Sequence, residues 1–172
     1  ALERSGNAEL LARVHVASQL AQVSTVDQDE PRGLGHAVLC AKDVVGDEPF
    51  AVLLGDDLID ARDPLLQRML EVRAERGGSI VALMRVPQSE ISKYGCAKVG
   101  ELIGDAVTID GLVEKPAVDD APSDLAVIGR YVLDPAVFDV LAATPPGRGG
   151  EIQLTDALNT LAGSDAGGGV FG

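Results

Sequence analysis

Apolar side chains recur at helical spacing in five stretches of the chain. Two of these stretches begin with aspartate followed by proline, at Asp63 and at Asp134, which is typical of a helix cap and a first helical position. Glycines close two stretches, at Gly77 and Gly163, as glycine often does at helix ends. The pattern therefore predicts helices over residues 9–16, 34–45, 64–76, 135–141 and 152–162.

Other segments have the length and composition of β-strands. Residues 50–54 form a continuous apolar run, and a run buried on both faces is typical of a central parallel strand. Turns at Gly100, Gly104 and Gly111 are expected to divide residues 96–114 into short strands. Further strands are predicted at 21–26, where the pattern is weak, and at 79–86 and 125–133.

The order of these elements indicates the fold class. The helix over 64–76 lies between two predicted strands, which is the order of a βαβ unit and implies a parallel sheet. We therefore expect an α/β fold in which residues 1–172 form one domain. The three glycines at 167–169 are expected to be a frayed tail.

Composition and charge narrow the classes of function. The chain has 172 residues, of which 14 are Lys or Arg and 27 are Asp or Glu, so its net charge is −13. This balance excludes a clamp for the nucleic-acid backbone, which needs an excess of cations. It permits a nucleotide ligand, because one lysine and one metal ion can hold a triphosphate. The apolar fraction of 46% is sufficient for a packed core.

Cysteine usage and apolar run lengths suggest the compartment. Cys40 and Cys96 have no CxxC spacing and are too few for a disulfide framework, so both are predicted to be small core residues. No apolar run approaches the ~18 residues of a membrane span, and the first residues do not resemble a signal peptide. We therefore expect a cytoplasmic protein that contacts neither a membrane nor nucleic acid.

Two carboxylates, those of Asp56 and Asp57, directly follow the apolar run 50–54. Ligands of open parallel sheets bind beyond the carboxyl ends of the strands, and Gly55 permits a close approach. An aspartate there can hold Mg²⁺, which prefers oxygen ligands and accompanies phosphates. The alternative is that either aspartate only caps the next turn.

A glycine pair at the start of a predicted helix is a second candidate. Backbone N–H groups at Gly33 and Gly35 could approach a flat ring or a phosphate, although an ordinary loop has the same pattern. His36, in the first turn, could be a core or cap residue or take part in chemistry. Only His15 and His36 are histidines, which leaves few candidates for a histidine general base.

Glu114 and Lys115 form a third candidate, because a carboxylate suits sugar hydroxyls and an ammonium suits a phosphate. Pro116 is expected to keep Lys115 extended, so that the two side chains point to opposite sides of a strand end. A solvated charge pair is the alternative. Tyr94 and Gly95 precede another predicted strand and could simply be its first residues.

Taken in order, six segments resemble the bacterial UTP–glucose-1-phosphate uridylyltransferases, which are sugar nucleotidyltransferases. They are Gln28 with residues 33–38, then 54–57, 94–95, 113–116, 122–131 and 144–156. His36 and the segment 151–156 favour the uridylyl enzymes over the related thymidylyl and adenylyl enzymes. The resemblance implies a Rossmann-like, three-layer mixed sheet of the nucleotidyltransferase type, flanked by helices.

The resemblance also implies a reaction and the residues that serve it. The phosphate of glucose 1-phosphate attacks the α-phosphorus of UTP, which yields UDP-glucose and pyrophosphate. By resemblance, uracil is contacted by Gln28 and Gly33, glucose by Tyr94, Gly95 and Glu114, the sugar phosphate by Lys115, and the cofactor Mg²⁺ by Asp56. Asp56 and Lys115 are then the catalytic residues, and a homodimer or homotetramer is expected.

Two features of the resembled family have no counterpart in this sequence. They are a glycine-rich triphosphate loop with an arginine and a lysine, and a second metal-binding aspartate beyond the last helix. The sequence is therefore expected to be part of a longer chain, and to release no measurable pyrophosphate by itself. A module that only binds the nucleotide sugar and a thymidylyltransferase-type enzyme are the alternatives.

Overall fold

The computed structural model describes residues 8–164 and 166–172. The helices are α1 (Ala8–Gln19), α2 (Leu34–Cys40), α3 (Lys42–Val45), α4 (Leu65–Arg76), α5 (Ala136–Ala143) and α6 (Leu154–Ala162). The strands are β1 (Phe50–Leu53), β2 (Ser79–Arg85), β3 (Gly95–Ile103), β4 (Ala106–Glu114), β5 (Leu125–Leu133) and β6 (Val170–Phe171). Short 3₁₀ segments lie at Gln88–Lys93, Val118–Asp120, Arg148–Gly150 and Ala166–Gly168.

The strands form one mixed sheet in the order β1-β5-β2-β6-β4-β3, and β3 also pairs with the first residues of β5. Among the described strands, β2 and β6 are the one parallel pair. β1 and β2 both run antiparallel to β5, so they share a direction and α4 connects them as a crossover. The predicted βαβ order is therefore present, but β5 lies between its two strands.

Helices cover both faces of the sheet, which confirms the expected three layers. Successive residues of the central strands alternate between the two faces, because strand side chains have a period of two. Val81 packs in the core formed with α2, α5 and α6, whereas Ile80 packs against Met69 and Val72 of α4. The core thus has one part on each side of β2 and β5.

Residues 50–54 do not form the central parallel strand that the sequence predicted. β1 pairs with β5 alone among the described strands, and it does so in antiparallel orientation. Phe50 and Val52 are half-buried, whereas Ala51 and Leu53 are exposed. The alternation was hidden because the exposed positions are also apolar, and Leu53 leaves 52% of its surface exposed.

The glycines between residues 96 and 114 do not divide this segment into short strands. Only Gly104 and Asp105 form a turn, between two nine-residue strands. Gly100 instead lies against Asp110 and Thr108 of β4, whose side chains would have to shift if position 100 carried a Cβ atom. Cross-strand pairing has here overridden the local turn signal.

The tail after Gly167 is not frayed but enters the sheet. β6 lies between β2 and β4, and Val170 is 3% exposed. The N–H of Ser79 donates to the carbonyl oxygen of Gly169 at 2.9 Å, and Gly172 exchanges two 2.9 Å backbone hydrogen bonds with Val107. The glycines permit the close backbone approach that this insertion requires.

The structure also tests the remaining predictions of helices, strands and caps. The strands over 79–86 and 125–133 and the helices after Pro64, Pro135 and Gln153 are confirmed within one or two residues. Residues 21–26 are irregular rather than a strand, and the helix over 34–45 breaks at Ala41. Pro64 occupies the N-cap position of α4, and no side chain caps that helix, so Asp63 is not its cap.

The two cysteines are free thiols, as expected, but they differ in burial. Cys96 is fully buried, which confirms it as a core residue, whereas Cys40 is only half-buried. Among the helices of residues 8–164 and 166–172, none is long and apolar enough to cross a membrane.

Candidate functional site

A cavity of about 370 Å³ lies beside the end of β1, between the loop 54–57 and the first turn of α6. Five of the residues predicted from the sequence line it together. They are Asp56, Tyr94, Gly95, Glu114 and Lys115. The other polar residues of its lining are Asp57, Lys93, Tyr131, Glu151, Gln153 and Thr155. The side chains of Asp56 and Lys115, which are 59 positions apart in the sequence, therefore face the same space.

Asp57 anchors the loop that follows β1. Its carboxylate accepts a hydrogen bond from the backbone N–H of Gly129, and its backbone carbonyl accepts one from the Arg130 guanidinium. Arg130 also donates to the carbonyl oxygen of Leu54 at 2.9 Å. Asp57 therefore takes the turn-stabilising role that the sequence left open for either aspartate.

Asp56, in contrast, is free to meet a ligand. Its side chain is exposed at the cavity and has no hydrogen-bond or ion-pair partner among residues 8–164 and 166–172. A carboxylate without protein partners can coordinate a cation without first breaking an internal contact. Asp56 is thus the better candidate of the two for a metal ligand.

Glu114 and Lys115 do not point to opposite sides of the strand end, as the sequence predicted. Their side chains form an ion pair, with Nζ 3.2 Å from Oε1, and both line the cavity. Lys115 has a φ of +46°, which is left-handed rather than extended. This conformation turns the Lys115 side chain back toward Glu114, because it rotates Cβ out of the strand's alternation.

Two hydrogen bonds hold Lys115 in its left-handed conformation. The backbone N–H of Lys115 donates to the carbonyl oxygen of Tyr94 at 3.0 Å. The Arg148 guanidinium donates to the carbonyl oxygen of Lys115. A bulky residue before proline seldom adopts this conformation, so its presence in a cavity wall indicates that the position of the ammonium matters.

Gly95 leaves room for a ligand beside a carboxylate. The second oxygen of Glu114 accepts a 2.7 Å hydrogen bond from the Thr155 hydroxyl. A Cβ at Gly95 would lie 3.2 Å from Thr155 Oγ1 and 3.3 Å from Glu114 Oε2. A side chain at position 95 would therefore press on the hydrogen bond between Thr155 and Glu114. Glycine at this position keeps Thr155 Oγ1 and Glu114 Oε2 accessible to a ligand.

The electrostatics of the cavity favour a bound cation. Four carboxylates line it, those of Asp56, Asp57, Glu114 and Glu151, against the two ammonium groups of Lys93 and Lys115. Burial, together with the charges of Glu114 and Asp57, raises the pKa of Tyr131 to about 12. Burial and the Glu114 charge likewise raise the pKa of Asp156. An anionic substrate would need a positive ion to offset this field.

The other two predicted site residues, Gln28 and Gly33, lie next to the cavity rather than in its wall. Gln28 Nε2 donates to the carbonyl oxygen of Gly33 at 3.1 Å. A Cβ at Gly33 would lie 2.7 Å from Cβ of Glu151, which lines the cavity, as does the next residue, Leu34. Gln28 and Gly33 could therefore extend the cavity at one end.

Sequence reasoning missed Tyr131 and Thr155. Both lie within segments that carry the resemblance, 122–131 and 144–156, but neither could be assigned a role there. Their contribution depends on distances to Glu114, which no local pattern reveals.

A larger cavity, of about 580 Å³, lies between α5 and α6 and contains none of the predicted site residues.

The donor set at the cavity fits a magnesium ion that is shared with a substrate. Within residues 8–164 and 166–172, no three His, Cys, Asp or Glu side chains converge as they would around an ion held by protein alone. Mg²⁺ is usually bound by one or two carboxylates together with substrate phosphates and water. The unpartnered carboxylate of Asp56 can supply such a ligand.

Comparison with known proteins shows the family to which the chain belongs. Residues 4–167 match the protein family described as nucleotidyl transferase. The chain belongs to the nucleotidyl transferase family. A relative in this family, the UTP–glucose-1-phosphate uridylyltransferase of Bacillus subtilis (strain 168), is 45% identical over 160 residues, which are 93% of this chain and 55% of the relative.

Solved nucleotidyl transferase structures have the same fold. A UDP-glucose pyrophosphorylase complexed with UDP-glucose superposes with a TM-score of 0.78 at 46% identity, over 81% of this chain and 54% of that one. A UTP-bound enzyme of the same kind from Acinetobacter baumannii gives 0.75 at 38% identity, over 93% and 56%. The chain thus spans about half the length of the relatives it matches.

Proposed function

We propose that the protein carrying this sequence transfers the uridylyl group of UTP to glucose 1-phosphate, forming UDP-glucose and pyrophosphate. The observation that carries this proposal is the shared cavity of Asp56 and Lys115. It is supported by the family membership and by relatives named for this reaction. The proposed substrates also agree with the ligands of similar structures, which are UDP-glucose in one and UTP in another.

The proposed reaction is an in-line displacement at phosphorus. An oxygen of the glucose 1-phosphate phosphate forms a bond to the α-phosphorus of UTP, and the bond from that phosphorus to the bridging oxygen breaks. Pyrophosphate leaves with the electron pair of this bond. Such a reaction needs positioning and charge neutralisation more than proton transfer, which fits a cavity without histidine in its lining.

Different residues of the site are suited to different parts of the substrates. Lys115 would bind the sugar phosphate, and Glu114, held by Thr155, would accept hydrogen bonds from glucose hydroxyls beside Tyr94 and Gly95. Gln28 and Gly33 would contact the uracil. Asp56 would hold Mg²⁺, which when bound neutralises charge on the phosphates.

The test is a pyrophosphate-release assay on the protein that carries this sequence, with UTP, dTTP, CTP and ATP each offered with glucose 1-phosphate. Release is expected with UTP and glucose 1-phosphate together, and it should stop when a chelator removes Mg²⁺. Equal rates with dTTP, or release that is insensitive to the chelator, would contradict the proposal.

The 172-residue chain alone provides a second measurement. Titration calorimetry is expected to show that it binds UDP-glucose, even if it turns over no substrate. Glu114→Gln should weaken this binding because a neutral amide accepts weaker hydrogen bonds from sugar hydroxyls than a carboxylate does. Glu101→Gln, at an exposed position of β3, is the matched control.

A further inference from the structure

The imidazole of His36 lies between two groups that are hydrogen-bond donors. It is 8% exposed, in the first turn of α2. Its Nδ1 is 2.9 Å from Gln28 Nε2, and its Nε2 is 2.7 Å from a terminal guanidinium nitrogen of Arg32. A neutral imidazole accepts a hydrogen bond at only one of its two nitrogens. Gln28 and Arg32 therefore compete for the single lone pair of His36.

The contact with Gly33 decides which way the Gln28 amide faces. A backbone carbonyl oxygen only accepts hydrogen bonds, so the group 3.1 Å from the Gly33 oxygen must be the amide NH₂. The second N–H of this NH₂ group is then available to His36 Nδ1. Gln28 Oε1 has no partner among residues 8–164 and 166–172 and is left to meet a ligand.

We propose that His36 is a positioning residue for nucleobase selection: its Nδ1 lone pair accepts from Gln28, so that Gln28 presents Oε1 to the base. This inference rests on the proposed function, in which Gln28 contacts uracil. Uracil has a donor at N3, which Oε1 can accept, whereas cytosine has an acceptor there, which Oε1 would oppose. Thymine has the same N3–H as uracil, so this contact separates UTP from CTP but not from dTTP.

Arg32 favours the alternative position of the imidazole hydrogen of His36. If its guanidinium donates to Nε2, the imidazole hydrogen must move to Nδ1, where it would face the Gln28 NH₂ group. The Arg32 side chain is 56% exposed and also lies 3.7 Å from Glu30, so it has other partners available. The NH₂ group of Gln28 has no such freedom, because the Gly33 contact holds it beside His36 Nδ1 and keeps it from turning to another acceptor.

The first test measures the hydrogen position directly on the unaltered protein. Nitrogen-15 NMR of the histidine side chains distinguishes a ring nitrogen that carries hydrogen from one that does not. For His36 we expect hydrogen on Nε2 and none on Nδ1, both in the free protein and with UTP bound. A hydrogen on Nδ1 in the UTP complex would overturn the proposal.

The second test changes the acceptor at position 36. In His36→Leu no acceptor remains, and the ratio of the CTP to the UTP dissociation constant should fall by about tenfold. In His36→Asn the amide oxygen can take the place of Nδ1, so this ratio should be largely restored. In His36→Gln the amide lies near the Nε2 position instead, and the ratio should stay low. Equal ratios in all three variants would contradict the proposal.

Removal of the competing donor is the complementary variant. Arg32→Met leaves the His36 lone pair to Gln28 alone, so the preference for UTP over CTP should stay the same or increase. A UTP analogue methylated at N3 lacks the donor that Oε1 would accept. It should bind the unaltered protein about tenfold more weakly than UTP but bind His36→Leu no more weakly than UTP.

The outcomes separate this inference from the proposed function. If the unaltered protein shows no preference for UTP over CTP, the proposed uridylyl specificity fails. If the preference is present but persists in His36→Leu, only the role of His36 fails. Dissociation constants for glucose 1-phosphate should be unchanged in every variant, because His36 lies outside the cavity lining; a parallel loss would indicate general misfolding and refute a positioning role.

Discussion

Unlike Asp57, Asp56 has a carboxylate with no hydrogen-bond or ion-pair partner in the part of the chain that the structure describes. This difference predicts the effect of substituting Asp56. Asp56→Asn should abolish Mg²⁺-dependent pyrophosphate release, since an amide is a much poorer ligand for a hard cation. The free energy of unfolding should change by less than about 1 kcal/mol, because the side chain is exposed and forms no hydrogen bond or ion pair with the described residues. Asp47→Asn, at an exposed position of the α3–β1 loop, is the control.

Activity assays and denaturant unfolding of the same preparations check this prediction. Persistent metal-dependent activity in Asp56→Asn would mean that Asp56 is only a turn residue. The reverse result, a large loss of stability, would mean that the Asp56 carboxylate has a structural partner.

Lys115 combines a left-handed backbone with an ammonium at the cavity. Lys115→Ala should lower kcat by about a hundredfold, since removal of one group that stabilises transition-state charge typically has this effect. Lys98→Ala, an exposed position on β3, should leave kcat unchanged. Unaltered steady-state kinetics in Lys115→Ala would refute the phosphate contact.

The raised pKa of Tyr131 makes the stability of the folded protein depend on pH in the alkaline range. Its pKa of about 12 exceeds the ordinary value for tyrosine, so the folded state retains the phenolic hydrogen where the unfolded chain has lost it. Stability is therefore fully present below about pH 10 and is lost as the pH rises toward 12, by about 2 kcal/mol. Tyr131→Phe removes the ionising group.

Urea unfolding at pH values from 9 to about 11.5 measures this effect as the difference between the two proteins. The stability of the unaltered protein should fall more steeply with pH than that of Tyr131→Phe. Parallel curves would show that Tyr131 titrates normally.

At the residue scale, the sequence indicated which residue types matter but not how they are oriented. The order of segments was sufficient to select Asp56, Glu114 and Lys115, and the structure places all three at one cavity. The sequence could not show that Lys115 breaks the usual preference of a residue before proline, because that depends on contacts with Tyr94 and Arg148. Tertiary contacts override local preference at such positions.

At the scale of elements, the tail that forms β6 packs against Gly78, and the adjacent Gly77 offers a comparison. Both Gly77 and Gly78 have a positive φ, +74° and +70°. A Cβ at Gly78 would lie 2.6 Å from the carbonyl oxygen of Gly169, whereas a Cβ at Gly77 would meet nothing within 4 Å. Alanine at position 77 therefore tests the backbone conformation, whereas alanine at position 78 also tests the contact with the tail.

Gly77→Ala should lower the free energy of unfolding by about 1–3 kcal/mol, because a φ of 74° with a ψ of −161° is almost confined to glycine. Gly78→Ala should cost about 2 kcal/mol more, because the new methyl group pushes the tail away from Ser79. Thermal and denaturant unfolding measure both values. Equal losses in the two variants would show that the tail is not held at this point.

The elements that sequence reasoning predicted best are those with strong periodicity and clear ends, such as α4 and β5. It failed for β6, because a glycine-rich segment of two strand residues has no periodicity to detect. It also failed for the position of β1 in the sheet. Strand order is set by which edges meet in three dimensions, and the burial of a single segment does not determine it.

At the scale of the whole molecule, one edge of the sheet is open to pairing with a strand of another molecule. Among the described strands, β1 has a partner on one side only, and next to it lies an apolar groove lined by α2, α3 and β1. Unpaired edges promote strand pairing between molecules. The 172-residue chain should therefore self-associate with increasing concentration, despite its net charge of −13.

Light scattering after size-exclusion chromatography can measure this association. Leu53→Lys should reduce it, because a charged side chain on an edge strand opposes pairing. Leu58→Lys adds the same charge in an exposed loop and should reduce it less. A strictly monomeric chain at all concentrations would contradict the prediction.

The insertion of β6 between β2 and β4 also has a consequence for biosynthesis. Residues that are 91 positions apart, Ser79 and Val170, are neighbours in the parallel pair. While the ribosome is still making the region around position 170, β2 and β4 lack the strand that connects them. Their facing edges therefore stay open until this segment has been made, and this interval is when a nascent chain of this kind most needs protection by a chaperone.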